Sequence, residues 1–493
     1  MSQGNGPEPE QLSMAKCARL LNVPWRHVRR MIKQGVFAQP AGHDSTGQPY
    51  WHRRSLYAWA AADRDLLGRV PLHHWRPPTV QSRYLGAETI DNRATALGWH
   101  TSAGPVWMLW HWDFDASTYE RDLTELAKHL PDAAAITMVG GDYGIDGPAL
   151  FGVLPAAPAQ PVYEMPWPAL SNVIGIPAPF WPSRLRIPDL MNTWRPGDAP
   201  VVAAAIPDSD PTPILRLAVI VDEGSPARQT LVNLVQTWQH RATETATDDL
   251  KILEEHTTAA TVTVAATPLA VPAAKKDDLA PDIRRAGWLE ILARADDLAV
   301  ACVREALQWD GGEDFPWNMI EVIDPDTPLG AEWAGRLVPA NRTAAFELLD
   351  QRDQEGEPLR DPQTDAPVLR QEERGQIKYR TAVPYRLPTT APLAELILEG
   401  PVWVRTEDGT LYPAPQAHPY GPTWGYRGSG PSILAMLADR LLDDITAPAP
   451  DGYTPQPPKG LTELTQQSWP KGTVLTRAQL GAARKGRPFP ETS

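Results

Sequence analysis

The sequence predicts a multidomain chain of α/β or α+β class, with three folded parts following one another along 493 residues. Three observations predict it. At roughly 100 to 200 residues per domain, the length suffices for two to four hydrophobic cores. Apolar residues make up 42% and charged residues 22%, a balance that excludes wholesale disorder. Stretches of helical period alternate with short β-like runs, as in a chain that mixes both element types. The 53 prolines, about twice ordinary usage, call for many stiff loops. No run approaches the ~18 apolar residues of a membrane-spanning helix, and the longest candidate, 214–221, is interrupted by Arg216. Residues 1–11 are polar and carry Glu8 and Glu10, unlike a secretory signal, so a cytoplasmic location without membrane contact is expected. Cys17 and Cys302 are the two cysteines, too far apart for a metal knuckle or a redox pair.

Net charge is −14, an average that hides an asymmetry. Between Gln11 and Arg83, twelve Lys and Arg stand against Asp44, Asp63 and Asp65, so this segment carries +9 and the rest of the chain −23. Basic charge gathered in one short segment is the footprint of polyanion binding.

Within that segment Ser13 suits an N-cap before a helix over 14–21, and Asn22-Val23-Pro24 interrupts it. Pro24 can open a second helix, 24–34, closed by Gly35. On a helical wheel Trp25, Val28, Met31 and Ile32 fall on one side, while Arg26, Arg29, Arg30 and Lys33 cluster on another. The first helix turns Met14, Cys17, Ala18, Leu20 and Leu21 inward. Residues 36–51 enclose a polar turn at 42–47 between more apolar flanks, as a hairpin does, and Ser55 can cap a third helix, 56–63.

Helix, turn, basic helix, hairpin and short helix is the order of a winged helix-turn-helix. The stretch Ser13 to Val23, then Val28, Ile32 and Gly35, then Tyr50-Trp51-His52-Arg53-Arg54-Ser55-Leu56 with Trp59 resembles the excisionase and MerR-like DNA-binding family over about residues 11–62. The resemblance implies that the helix 24–34 enters the major groove and that the hairpin acts as a wing. Pro24-Trp25 departs from the small hydroxyl residues more usual at that place. The candidate DNA-binding residues are Arg26, His27, Arg29, Arg30 and Lys33 on the second helix, with Arg53 and Arg54 suited to phosphate contact.

Residues 65–83 read as a linker in which His73 and His74 lack the spacing of a metal site. A mixed α/β domain is expected over 84–340. Its runs 106–114 and 135–139 look like strands around a helix over 119–129. Alternation on the first run would set His111, Asp113 and Asp115 on one face. That trio is the one conceivable metal site for phosphodiester hydrolysis, though nothing completes its coordination shell, and no metal or cofactor is assigned. Gly140-Gly141 marks a weak phosphate-turn signal, and no P-loop pattern occurs. The run 214–221 reads as a strand ending at Asp222 and Glu223, followed by a helix capped by Ser225. An amphipathic helical region covers 283–309. No nucleophile motif is visible, so no catalytic residue is assigned.

Residues 341–392 are polar and charged and read as a linker or surface excursion, and 393–445 as a small α+β unit with a hairpin at Asp408-Gly409. Trp424-Gly425-Tyr426-Arg427-Gly428-Ser429-Gly430-Pro431, followed by a Leu-rich helix, is similar to an uncharacterised domain of actinobacterial plasmid and phage proteins. Its glycines fit a tight corner before the helix. The Pro-rich tail 446–493, with Lys471, Arg477, Arg484, Lys485 and Arg487, reads as disordered and conceivably as an auxiliary nucleic-acid contact.

The sequence therefore points to a non-catalytic, sequence-selective double-stranded-DNA-binding protein, a regulator or accessory factor of a bacterial mobile element. Its acidic body, turned away from DNA, would serve self-association or a protein partner. Alternatives are a metal-dependent DNA-processing enzyme and a replication or transfer assembly protein.

Overall fold

The structure, a computed structural model, describes residues 10–63, 65–75, 82–112, 119–144, 147–256, 261–310, 315–349, 356–417, 421–450, 452 and 456–487. The chain is mixed α and β throughout and divides into two units, Met1–Pro207 with Gln239–Pro272, and Asp208–Trp238 with Ala273–Ser493.

The first unit begins with a small basic module: β1 (Gln11–Leu12), α1 (Met14–Leu20), α2 (Trp25–Lys33), β2 (Gly42–His43), β3 (Pro49–His52) and α3 (Arg53–Ala60), its strands ordered β1-β3-β2. The Ser13 hydroxyl accepts from Lys16 N at 3.3 Å and caps α1 as predicted. Its core gathers Leu12, Cys17, Leu21, Val28, Phe37, Trp51, Leu56 and Tyr57. Residues 65–75, expected to be a linker, fold instead into two 3-10 turns, because Leu66 and Val70 enter this core while Leu72 and Trp75 enter the next one.

That next core belongs to a six-stranded sheet, β4 (Arg83–Ile90), β5 (Ala94–Thr101), β6 (Gly104–His111), β7 (Ala135–Gly144), β8 (Gly147–Val153) and β9 (Tyr163–Glu164), paired in that order. All pairs are antiparallel except β6 with β7, which α4 (Tyr119–Leu126) joins as a parallel crossover. Trp99, Met108 and Trp110 pack on one face, and Leu109, Ile136 and Met138 on the other with Leu123 and Leu126 of α4. Burial on both faces explains why β6 reads as an unbroken apolar run. Gly140 lies inside β7 rather than in a phosphate-binding turn; a Cβ there would stand 2.7 Å from the Phe151 ring.

In the second unit the run expected to be a strand is a helix, Thr212–Ile220. Proline early in its first turn and the Asp210 carboxylate accepting from Thr212 N at 2.9 Å start it. Asp222 and Glu223 thus follow a helix and not a strand end. Ser225 caps the 31-residue helix Pro226–His256, whose residues up to Trp238 belong to this unit. The region 283–309 is two helices, Pro281–Leu292 and Asp297–Asp310, the second begun by Asp296 accepting from Ala299 N. Cys302 is buried in their core.

The charged stretch 341–392 is a linker in neither half. Strands Glu357–Arg360, Pro367–Glu373 and Gln376–Pro384 join Trp317–Ile323 and Val338–Pro339 in a five-stranded sheet. The tight turn at Arg374-Gly375 has both residues at positive φ, 54° and 79°. The tail is likewise ordered where described: Thr473–Thr476 pairs with Leu393–Leu398, and helices Lys459–Thr465 and Arg477–Arg484 bury Leu461, Leu464 and Leu480. Arg484, offered above as a nucleic-acid contact, grips Asp443 through both oxygens at 2.6 and 2.5 Å. The hairpin at Asp408-Gly409 forms as predicted. The glycine corner before Ser429–Asp443 is tight, because a Cβ on Gly430 would run into Thr423 Oγ1 and the Tyr426 hydroxyl.

An ion pair with a buried carboxylate ties the five-stranded sheet to a four-stranded one in which Leu411–Pro413, Val402–Thr406, Leu393–Leu398 and Thr473–Thr476 lie side by side in that order. Asp361, 1% exposed, accepts Arg336 Nε at 2.9 Å and Nη2 at 2.6 Å, and also Trp333 Nε1 at 3.1 Å. Arg336 Nη1 donates to the Leu411 carbonyl of the other sheet. Asp361→Ala leaves that guanidinium without its carboxylate and should cost about 3–5 kcal/mol, seen as a lower urea midpoint for the transition that unfolds this unit.

Candidate functional site

The basic helix α2 is set by what holds α1 and the turn before it. The last carbonyls of α1 have no partner within the helix, and distant side chains supply one. Gln160 Nε2 donates to Leu20 O at 2.8 Å and to Arg69 O at 2.7 Å, while its Oε1 accepts from the Tyr57 hydroxyl at 2.9 Å. Arg69 Nη1 donates to Leu21 O at 3.2 Å and Asn22 O at 2.8 Å. Asn22 takes the left-handed conformation, φ 48°, and its amide donates to Ala156 O at 2.9 Å. The chain then re-enters helix at Pro24, and Gly35, φ 69°, ends it.

Burial of Val28, with Met31 and Ile32 half-buried, leaves Arg26, His27, Arg29, Arg30 and Lys33 exposed. Among the described residues no carboxylate lies within ion-pair distance of these four cations. Arg30 Nη2 and His27 Nδ1 are 2.8 Å apart along one helical turn. Trp25 departs from its expected inward place: it is 49% exposed, with the Arg26 guanidinium 6.0 Å from its ring centre. Side chains of a helix lean toward its N-terminus, so a residue in the first turn hangs beyond the helix and finds less to pack on.

The hairpin has its turn pinned by Asp44 Oδ1, which accepts from Thr46 N, Thr46 Oγ1 and Gln48 N at 2.7–2.9 Å. These bonds hold the Asp44 carboxyl below the usual carboxylate range. Helix α3 starts at Arg53, not after Ser55, because the chain runs straight from β3 into it with His52 as an extended cap. Arg53 and Arg54 are therefore exposed in a helical first turn, where the helix dipole disfavours cations. Arg53 is not free: Glu10 takes Arg53 Nη2 at 2.6 Å and Lys16 Nζ at 3.3 Å, which hold the Glu10 carboxyl low, Lys16 foremost. The sequence pattern did not single out Gln160, gave Glu10 no ion-pairing role, and set Trp25 on the packed side of the helix. For Trp25 the wheel carried a signal, since it lies at the border of the apolar stripe, one turn before Arg29.

His111 ends β6 and is 8% exposed, with Arg186 Nη1 donating to its carbonyl at 3.2 Å. Arg186 is itself 5% exposed, with its guanidinium 5.2 Å from the Trp110 ring centre. Asp113 and Asp115 lie outside the described residues. Among the described residues no cluster of three His, Cys, Asp or Glu could hold a metal, and no helix is long and apolar enough to cross a membrane.

His73 and His74 stack against each other, ring centres 4.3 Å apart, between Tyr163 and Tyr57. Burial, then the neighbouring His73 and Arg54, pushes the His74 imidazole down to about 4. The unfolded chain, with histidine near ~6.5, then binds this proton more readily than the folded one. Its contribution to stability is complete above about 6.5 and is lost as pH falls toward 4. Thermal melting of this unit should weaken over that window, and His74→Gln should flatten the slope. Comparison with models of known families, with curated proteins and with solved structures finds no match to this chain.

Proposed function

We propose that residues 11–64 are a winged helix-turn-helix and that the chain is a sequence-selective, non-catalytic binder of double-stranded DNA. The observation that carries this reading is the exposed face of α2, where Arg26, Arg29, Arg30 and Lys33 stand on a packed scaffold with no carboxylate in reach among the described residues. A helix about 10–12 Å across matches the major groove. Arginine can donate two parallel bonds to guanine O6 and N7, and either cation can neutralise phosphate. The hairpin β2–β3 serves as the wing. Arg54 and, once released by Glu10, Arg53 serve phosphate positioning. The role of regulator or accessory factor of a mobile element rests on the family resemblance of 11–62 and belongs to the same proposal.

The test is duplex binding by the full chain across a salt series. With about five phosphates neutralised, log Kobs should fall against log salt with a slope of roughly −4 to −5. Arg29→Ala with Arg30→Ala should weaken binding at least ~10-fold and make the slope shallower by about 2. Affinity indifferent to salt, or unchanged in that variant, overturns the reading. Glu10→Gln removes the competitor for Arg53 and Lys16, so it should tighten binding and steepen the slope by about 1.

A further inference from the structure

We propose that Trp25 determines sequence preference by packing its indole against the C5-methyl group of a thymine in the major groove. This deepens the DNA-binding reading and rests on it. Among the described tryptophans Trp25 alone is more than a third exposed, at 49%, while Trp51 of the same module is 1% exposed. Trp25 lies outside the packed cluster of the module and its margin. Its position is not random with respect to charge. Trp25, Arg29 and Lys33 follow one another at i, i+4 and i+8 along α2, so the indole opens the row that the cations continue. The Arg26 guanidinium sits 6.0 Å from the ring centre, the outer reach of a cation–π contact.

Phosphate gives no reason for an indole in this row, because the ring offers one N–H donor and no charge. The apolar feature of a B-form major groove is the thymine methyl, which adenine, guanine and cytosine lack there. A helix that enters the groove by its N-terminal end presents its first residues to the base edges, and Trp25 is the first residue of α2. The neighbouring cations would hold the helix at the depth at which the ring meets that methyl. Specificity would then combine guanine contacts by arginine with an apolar contact at thymine.

The test uses duplexes enriched by the full-length chain from a random pool, remade with deoxyuridine in place of thymidine. This removes only the methyl groups and keeps every hydrogen bond of the base pair. The unmodified chain should bind the deoxyuridine form about fourfold more weakly per contacted methyl, the factor equivalent to ~0.8 kcal/mol for one buried carbon. Trp25→Ala should bind both forms equally, with the salt slope unchanged, and Trp25→Phe should keep a preference for the thymidine form. Circular dichroism and melting identical to the parent keep a folding defect apart from a lost contact. Equal binding of both forms by the unmodified chain, with a normal salt slope, overturns this proposal and leaves the DNA-binding reading standing. Failure to enrich or bind any duplex overturns both.

Discussion

The arrangement of the basic module depends on how the open carbonyls at the end of α1 are satisfied. A buried or half-buried carbonyl without a donor costs roughly as much as a lost hydrogen bond. Here Gln160 and Arg69 provide the donors for Leu20, Leu21 and Asn22. Gln160 also binds the Tyr57 hydroxyl of α3, so one amide from the following domain fixes the end of α1 and the face of α3 together. The turn through Asn22 to Pro24 is the short path between those anchors, and α2 leaves it in one direction. A cation on a fixed helix loses less freedom on meeting a ligand than one on a floppy arm. That pre-organisation is what allows a row of side chains to match a groove.

Electrostatics in the module are more economical than the composition suggests. Of the cations that make 11–83 basic, Arg69 is spent on carbonyls, and Lys16 and Arg53 share Glu10. Among the described residues, the outward cations that remain are Arg26, Arg29, Arg30 and Lys33 together on α2, and Arg19, Arg54 and Arg83 singly elsewhere. A surplus spread evenly would give a diffuse field, whereas one helix face gives a stripe about as wide as the helix itself. Salt bridges among exposed groups are weak, commonly under ~1 kcal/mol, so Glu10 can yield Arg53 to a stronger anion.

Much of the first module is legible in the sequence because its signals are local. Ser13 caps within three residues, Asn22-Val23-Pro24 breaks a helix, and Gly35 ends one through its own φ. The same local chemistry marks Ser225 and the Asp408-Gly409 turn. Trp25 escaped because the wheel assumes a helix on both sides of each residue, and a first-turn residue has it on one. The strands between 357 and 384 escaped because the buried Val368, Leu369 and Ala382 are few beside Arg370, Glu372, Glu373, Lys378 and Arg380 in the same segments. A wet face and a charged loop look alike until the other face finds a core.

What the sequence determined by itself is the set of contacts within about four residues: caps, turns, helix faces and the concentration of positive charge near one end. Tertiary structure decided the rest. The run at 214–221 could be strand or helix by apolar content alone, since a short apolar run satisfies either period; in the helix only Ile214, Leu217 and Ala218 are buried. Thr473–Thr476 became a strand only because Leu393–Leu398, some eighty positions away, offered an open edge. The end of α1, from which the turn into α2 starts, is held by Gln160, 140 residues downstream of Leu20. Backbone donors and acceptors must be paired wherever water is excluded, and the partner that pairs them is chosen by packing across the chain rather than by neighbours along it.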